Sequence, residues 1–228
     1  MSRLEIPVND PRPSLNYPLT PTRLNRILVS VARWVFKGVM VMDIHGLENL
    51  PGQGAAIVAS NHVNNFDVFP LQLALPRPLF FMGKAELFQI GFVHAVFRRM
   101  GGFPVYRGEG DAWALEHSTR LLAAGQLLAM FPEGTRSRGR GLAVAKTGAA
   151  RLAIDTSVPI VTVSIDGSQR FFKQFPRRNR VQVVIAPPII PQPGETAISL
   201  TDRMMYSMAA SLPPELRGVY ADNPPFRL

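Results

Sequence analysis

The stretch AAIVASNHVNNFD, residues 55–67, decides the fold. Its first half, residues 55–60, is almost entirely apolar, which is typical of a strand that is buried on both faces of a sheet. Its second half is polar and begins where that strand ends. Further along the chain, short apolar strands alternate with helical patterns up to about residue 185. This alternation predicts an α/β fold, a single domain with a mainly parallel mixed sheet flanked by helices.

The polar half contains a histidine and an aspartate, His62 and Asp67. On one continuous helix, two residues five apart would point ~140° away from each other. They can meet only if His62 lies on a loop and Asp67 on the first turn of a following helix. That arrangement suits a general base whose imidazole is oriented by a carboxylate. The alternative is that Asp67 caps a helix and His62 is a polar turn residue.

Other polar residues also follow predicted strands, where open α/β sheets place their sites. The strand LLAMF is followed by PEGTRS, in which Gly134 and Thr135 can present backbone N–H groups and Arg136 can hold a phosphate through two donors. The strand in GFPVYR delivers Arg107, and Lys84 follows another strand, although a solvated lysine is its alternative interpretation. The sequence therefore predicts an anion site near this edge of the sheet.

Composition narrows the classes of function. The chain has 25 basic and 16 acidic residues, a net charge of +9, which predicts an anionic partner. It has no cysteine, which excludes thiol catalysis, thiolate metal sites and disulfides. It has no G-x-S-x-G elbow for a serine nucleophile. Nothing in it resembles a helix-turn-helix, a zinc finger or an aromatic RNA-binding strand, so no nucleic-acid partner is expected.

In order and spacing, these motifs resemble the glycerophospholipid acyltransferases, the family of 1-acylglycerol-3-phosphate O-acyltransferases. The resemblance covers about residues 42–188 and rests on the His-x4-Asp pair, GFPVYR, FPEGTRS, VPIVTV and the Lys146-Thr147-Gly148 helix start. Two positions depart from the family pattern. Asn64 stands where the family usually has Ser, and Tyr106 stands where an acidic residue often precedes the Arg.

The resemblance implies transfer of a fatty acyl group from acyl-CoA or acyl carrier protein to the free hydroxyl of a lysophospholipid. The expected acceptor is 1-acylglycerol-3-phosphate and the product phosphatidic acid. No metal and no cofactor beyond the acyl co-substrate is expected. The alternatives are another acceptor (a different lysolipid or a lyso-ornithine lipid) and a non-enzymatic polyanion-binding protein.

The same resemblance assigns roles to residues. His62 would be the base and Asp67 its orienting partner, while Arg136, Lys84 and Arg107 would hold the acceptor phosphate. Glu133 has no obvious catalytic task, and the role open to it is to orient a basic neighbour or a substrate hydroxyl. A basic cluster between residues 170 and 180 could attract the anionic acyl donor or could be a solvated face.

The pattern divides the chain into a flexible leader (residues 1–20), an amphipathic helix (21–41), an acyltransferase core (42–190) and a C-terminal helical extension (191–228). At ~100° per residue, the basic side chains of the helix fall within one arc roughly 80° wide. They are Arg23, Arg26, Arg33 and Lys37. The chain has no run of 18 predominantly apolar residues. We therefore expect a peripheral or monotopic protein that this helix docks on an anionic membrane surface, at the cytoplasmic face of the cell membrane. The alternative is a core-packed helix with a basic exposed stripe.

Overall fold

The structure is a computed structural model that describes residues 6–64, 66–106, 110–170 and 177–222. Its strands are β1 (Met40–His45), β2 (Ala56–Ser60), β3 (Leu79–Lys84), β4 (Gly102–Val105), β5 (Leu127–Met130), β6 (Ile160–Asp166) and β7 (Asn179–Ile185). They form one sheet in the order β1-β7-β6-β2-β5-β3-β4. All neighbouring strands run parallel except β6 and β7. The predicted mainly parallel mixed sheet is confirmed.

Helices cover both faces of the sheet. They are α1 (Arg23–Val39), α2 (Val68–Ala74), α3 (Gly91–Arg99), α4 (Ala112–Ala123), α5 (Gly148–Thr156) and α6 (Ala197–Ala210). One hydrophobic core joins the sheet to α4, α5 and α6, and a second joins it to α1 and α2. Along β2, Ile57 and Ala59 belong to the first core, whereas Ala56 and Val58 belong to the second. A strand buried on both faces explains the nearly continuous apolar run that the sequence shows.

The carboxyl ends of the parallel strands gather at one edge of the sheet. β2 pairs with β5 on one side and with β6 on the other, and β3 lies beyond β5. The loops that follow these four strands therefore leave from the same edge. The start of β1 is also at this edge, because Met40 pairs with Asn179 at the start of the antiparallel strand β7.

The predicted N-terminal helix is α1, and it has three different faces. Asn25 and Val29 are buried against the domain. The basic stripe is a second face, where Arg33 Nη2 donates to the carbonyl of Leu75 (3.3 Å). A third face exposes apolar side chains, namely Leu24, Ile27, Val31, Trp34 and Val35. Within the described ranges, no helix is both long enough and apolar enough to cross a bilayer.

The segment expected to be a flexible leader makes contacts that the sequence did not predict. Arg12 is 2% exposed and forms ion pairs with Asp10 (2.7 Å) and Asp111 (2.5 Å). Its guanidinium also lies over the rings of Tyr106 (4.5 Å) and Trp113 (4.7 Å). These contacts hold part of residues 6–20 against α4. A polar, proline-rich composition does not reveal them, because every partner except Asp10 is distant in sequence.

The segment between β3 and β4 contains two separate helical elements. A 3-10 turn at Ala85–Gln89 precedes α3, and Ile90 between them has an extended backbone. The turn packs the ring of Phe88 onto Gly83 of β3, where a Cβ atom would lie only 2.7 Å from the ring.

Candidate active site

The loop after β2, residues 61–67 (the β2 loop), brings together the two residues predicted to pair. His62 Nδ1 lies 2.9 Å from Asp67 Oδ2. The same oxygen accepts the backbone N–H groups of Val63 (2.6 Å) and Asn64 (2.8 Å). A carboxylate can only accept hydrogen bonds, so Nδ1 is the protonated ring nitrogen and Nε2 is the basic one.

Asp67 does not serve as an ordinary helix cap. It directly precedes α2, yet its side chain makes no capping hydrogen bond to that helix. Its carboxylate, which is fully buried, turns back to the loop that carries His62 instead. The capping alternative is therefore excluded by the geometry.

The imidazole of His62 is fixed on two sides. Its ring stacks on Phe131, with 4.2 Å between the ring centroids, and Asp67 holds Nδ1. The side chain is 15% exposed. A small part of the ring thus remains open to a ligand while its orientation is set by the protein.

The loop after β5, residues 131–146 (the β5 loop), contains Glu133. Its carboxylate is buried and accepts the backbone N–H groups of His62 (2.9 Å) and Ala143 (3.0 Å). Burial raises the pKa of Glu133, and the two N–H donors act against that shift. Glu133 was predicted to orient a basic neighbour or a substrate hydroxyl. Both oxygens bind backbone groups and so hold the β2 loop in place, and the predicted role stays a prediction.

Two backbone hydrogen bonds also join the two loops. The N–H of Ser137 donates to the carbonyl of His62 (2.7 Å), and the N–H of Arg138 donates to the carbonyl of Val63 (3.1 Å). Arg138 adopts a φ of 55°, a left-handed conformation that a non-glycine residue rarely takes. Such strain is kept only where the surroundings impose it. The position of one loop therefore fixes the position of the other.

The β5 loop, where the sequence predicts an anion site, carries cationic side chains at its surface. One of its predicted backbone donors, however, binds within the loop. Thr135 and Arg136 are exposed at the tip of the β5 loop. The N–H of Gly134 donates to the carbonyl of Phe131 (3.0 Å), so it is not directed at a ligand as the sequence suggested.

Lys146 is a cation of this loop that the site prediction missed. Gly134 has a φ of +65°, and a Cβ atom there would lie 3.2 Å from Lys146 Cε and 3.4 Å from Nζ. The ammonium therefore rests against Gly134. The Lys-x-Gly helix start was the available signal, but only the turn at Gly134 brings that lysine back to the loop.

Of the other two predicted cations, one lies further from His62 along the sheet edge and one is not among the described residues. Lys84 ends β3, two strands from β2 at the same edge, and its Nζ is 3.9 Å from Glu86 Oε1. Arg107 lies outside the described residues.

A serine that the sequence analysis did not single out also contacts the pair. Ser168, in the turn after β6, donates its hydroxyl to Asp67 Oδ1 (2.6 Å), and its carbonyl accepts Asn64 Nδ2 (2.5 Å). The signal that could have found it is the rule already applied to β2 and β5, that strand ends at this edge carry the site.

Comparison with known proteins identifies the family to which the chain belongs. The family model described as Acyltransferase matches residues 41–166, more than half of the chain, and the protein belongs to that family. The chloroplastic 1-acyl-sn-glycerol-3-phosphate acyltransferase of Brassica napus is 31% identical over 177 residues, which cover 75% of this chain and 50% of the relative. The 1-acyl-sn-glycerol-3-phosphate acyltransferase of Borreliella burgdorferi is 28% identical over 149 residues, which cover 64% of this chain and 59% of the relative.

The chain thus spans about half the length of the curated relatives that it matches. A crystal structure of the 1-acyl-sn-glycerophosphate acyltransferase from Thermotoga maritima superposes with a TM-score of 0.66 at 24% identity. The match covers 82% of this chain and 77% of the other. This likeness confirms the fold.

Proposed function

We propose that the protein transfers a fatty acyl group from acyl-CoA or acyl carrier protein to the free hydroxyl of 1-acylglycerol-3-phosphate, which yields phosphatidic acid. The observation that carries the proposal is the 2.9 Å contact between His62 Nδ1 and Asp67, beside a loop of cations. Both curated relatives are named 1-acyl-sn-glycerol-3-phosphate acyltransferases, which supports this acceptor.

The His62–Asp67 pair would act as a general base. His62 Nε2 takes the proton of the acceptor hydroxyl while the hydroxyl oxygen attacks the thioester carbonyl. The tetrahedral adduct then collapses, the C–S bond breaks, and the leaving thiolate takes the proton from the imidazolium. Asp67 orients the ring and stabilises the imidazolium. Such base catalysis supplies ~10²–10⁴ in rate, so positioning must supply much of the rest.

The β5 loop would position the acceptor through its phosphate. Arg136 offers a fork of two donors, and Lys146 adds a second positive charge beside Gly134. Lys84 and Arg107 are the further phosphate ligands that the family resemblance suggests. Three hydrogen bonds join this loop to the loop of His62. A phosphate bound at the β5 loop would therefore lie at a fixed distance from the base.

Release of free thiol from an acyl thioester tests this function. We expect purified protein to cleave acyl-CoA or acyl carrier protein only when 1-acylglycerol-3-phosphate is present, with phosphatidic acid as the lipid product. Lysophosphatidylcholine, a lyso-ornithine lipid and monoacylglycerol, in parallel reactions, identify the acceptor. Cleavage that is equal with another lysolipid would replace the proposed acceptor. Binding of polyanions without any acceptor-dependent cleavage would replace the enzyme with a binding protein.

We further propose that α1 docks the protein on an anionic membrane surface, at the cytoplasmic leaflet, as a peripheral or monotopic enzyme. The support is its third face, on which Ile27 and Trp34 are 58% and 78% exposed beside the basic stripe. A helix lying in the interface buries such a face among lipids and keeps its cations near anionic headgroups, each worth ~1 kcal/mol. Since α1 leads directly into β1 at the edge that carries the site, docking would bring the site to the lipid.

Sedimentation with vesicles of varied phosphatidylglycerol content tests the docking. The double variant Arg26→Gln/Lys37→Gln should bind anionic vesicles about 30-fold more weakly, which corresponds to two lost interactions of ~1 kcal/mol. Arg120→Gln/Arg151→Gln removes the same charge from exposed positions on α4 and α5 and serves as the control. Ile27→Ser/Trp34→Ser should weaken binding to all vesicles. Wild-type protein that binds no vesicles would disprove the docking.

A further inference from the structure

The carboxylate of Asp67 has two oxygens with different surroundings. Oδ2 faces His62 and two backbone N–H groups of its own loop. Oδ1 accepts the hydroxyl of Ser168 at 2.6 Å, 101 residues further along the chain. Ser168, like Asp67, is fully buried. The contact therefore connects the loop of the proposed base to the turn that follows β6.

The turn that carries Ser168 is itself held firmly. Gly167 has a φ of +93°, and a Cβ atom there would lie 2.2 Å from the carbonyl oxygen of Arg180. The carbonyl of Gly167 accepts Nδ2 of the buried Asn179 at 2.8 Å. Only a glycine can lie this close to the carbonyl of Arg180, and the close contact fixes the direction of Ser168, the next residue. The hydroxyl of Ser168 is thus delivered to Asp67 by the packing of β7 against the turn.

We infer that Ser168 is a positioning residue for acyl transfer, and that it acts through Asp67. With Oδ1 held by Ser168, the carboxylate cannot rotate, and Oδ2 stays on Nδ1 of His62. The carbonyl of Ser168 contributes in the same direction, because it holds the side chain of Asn64, whose N–H also binds Oδ2. This inference rests on the proposed roles of His62 and Asp67.

The chain offers a matched control for a buried serine. Ser164 lies on β6, is 2% exposed, and donates its hydroxyl to the carbonyl of Met208 at 2.8 Å. Changing Ser164 to alanine removes a buried hydrogen bond of the same kind without touching Asp67. Any effect on stability that is common to Ser164→Ala and Ser168→Ala is therefore structural.

The test compares steady-state kinetics of these two variants with the acyl donor saturating and 1-acylglycerol-3-phosphate varied. We expect Ser168→Ala to lower kcat about 10-fold or more, a loss typical of residues that hydrogen-bond to a functional side chain. The KM for the acceptor should stay within about twofold of the wild-type value. Ser164→Ala should keep the wild-type kcat. In an Asp67→Asn background, Ser168→Ala should cause no further loss, because the residue through which it acts has already been changed.

Equal kcat values for the two serine variants, or a full additional loss in the Asp67→Asn background, would overturn the inference. If Ser168→Ala does not fold, Ser168→Cys keeps the shape with a weaker donor, and a wild-type kcat there would overturn it as well. The proposed function fails differently: the wild type itself would then show no acceptor-dependent cleavage of the thioester, and a wild-type kcat in Asp67→Asn would refute the proposed role of Asp67, whatever the serine variants do.

Discussion

The β2 loop and the β5 loop both carry a buried carboxylate, but the two carboxylates contact different things. Asp67 binds the ring of His62, the group proposed to react. Among the described residues, Glu133 binds backbone N–H groups only, one of them that of His62. The first carboxylate sets the orientation of a side chain, and the second sets the position of the loop that bears it.

The proposed phosphate ligands and the two carboxylates also differ in their exposure to solvent. Arg136 and Lys146, both in the β5 loop, are exposed, whereas Asp67 and Glu133 are buried. A base needs a fixed orientation, which burial provides, whereas a phosphate must enter from outside and meet its cations there. The comparison implies that β2-loop variants reduce the chemical step and β5-loop variants reduce recognition of the acceptor.

The largest effect is expected in the β2 loop. His62→Ala should lower kcat at least ~10²-fold, because the proton acceptor is lost. Asp67→Asn should also lower kcat strongly, since an amide can present a donor to Nδ1–H where the carboxylate accepted a hydrogen bond. Turnover of phosphatidic acid formation measures both. His45→Ala removes a histidine whose side chain is 54% exposed and should leave kcat unchanged.

Retention of more than about a tenth of wild-type turnover by His62→Ala would contradict the general-base role, because that loss is far below the ~10²-fold minimum. The conclusion that the β2 loop serves the chemical step would then be wrong.

A smaller effect is expected at the tip of the β5 loop. Arg136→Ala should raise KM for the phosphorylated acceptor about 10-fold and lower kcat by misplacing the hydroxyl. Arg136→Lys should rescue poorly, because an ammonium does not reproduce the guanidinium fork. Lys146→Gln should raise the same KM by a smaller factor. Arg120→Ala on α4 is the control for a lost exposed arginine.

The matched substrate for these variants is a monoacylglycerol, which lacks the phosphate. If Arg136→Ala discriminates between phosphorylated and dephosphorylated acceptors as well as the wild type does, the β5 loop does not bind the phosphate.

A still smaller effect on turnover is expected where the loops are joined. In Glu133→Gln one backbone N–H loses its acceptor, which costs ~1–3 kcal/mol. The variant also escapes the burial of a charge, the cause that raises the pKa of Glu133. We therefore expect the free energy of unfolding to fall by only about 1 kcal/mol, with kcat reduced ~5-fold by the shift of His62. Urea unfolding and kinetics measure the two. A variant more stable than wild type would show that the burial of the charge costs more than the lost hydrogen bond contributes.

The sequence could predict the parts of the site that lie close together along the chain. The order of strands and helices, the His62–Asp67 pair and the exposed Arg136 all follow from local patterns at strand ends. Ser168 follows a strand end, but its contact with Asp67 could not be predicted, because that contact depends on how β6 lies beside β2 and how Gly167 turns against β7. The two hydrogen bonds of Glu133 were also beyond prediction, since their donors are backbone groups that leave no mark in the sequence. The burial of Arg12 could not be predicted either, because it depends on partners that are distant in sequence. Residues 1–20 were therefore expected to be a flexible leader.

The smallest effect on the reaction is expected from a titratable residue in neither loop. His117, on α4, is 5% exposed and stacks on Trp113 with 5.0 Å between centroids. Burial lowers the pKa of His117 from 6.5 to about 4, and nearby Arg120 acts in the same direction. The unfolded chain therefore binds a proton at a higher pH than the folded protein does. The stability that the neutral ring contributes is fully present above pH 6.5 and is lost as the pH falls from 6.5 towards about 4.

Urea unfolding across that pH window measures this contribution. The free energy of unfolding of the wild type should fall with acid, and His117→Phe should reduce the slope. Turnover at neutral pH should be unchanged in His117→Phe, because the ring packs on Tyr17, Phe103 and Trp113, which lie in neither loop, and is neutral there. An unchanged pH slope in His117→Phe would show that acid sensitivity arises elsewhere. A loss of neutral-pH turnover would show that the two loops are not the only parts of the fold that position the base, and the separation of roles between them would have to include α4.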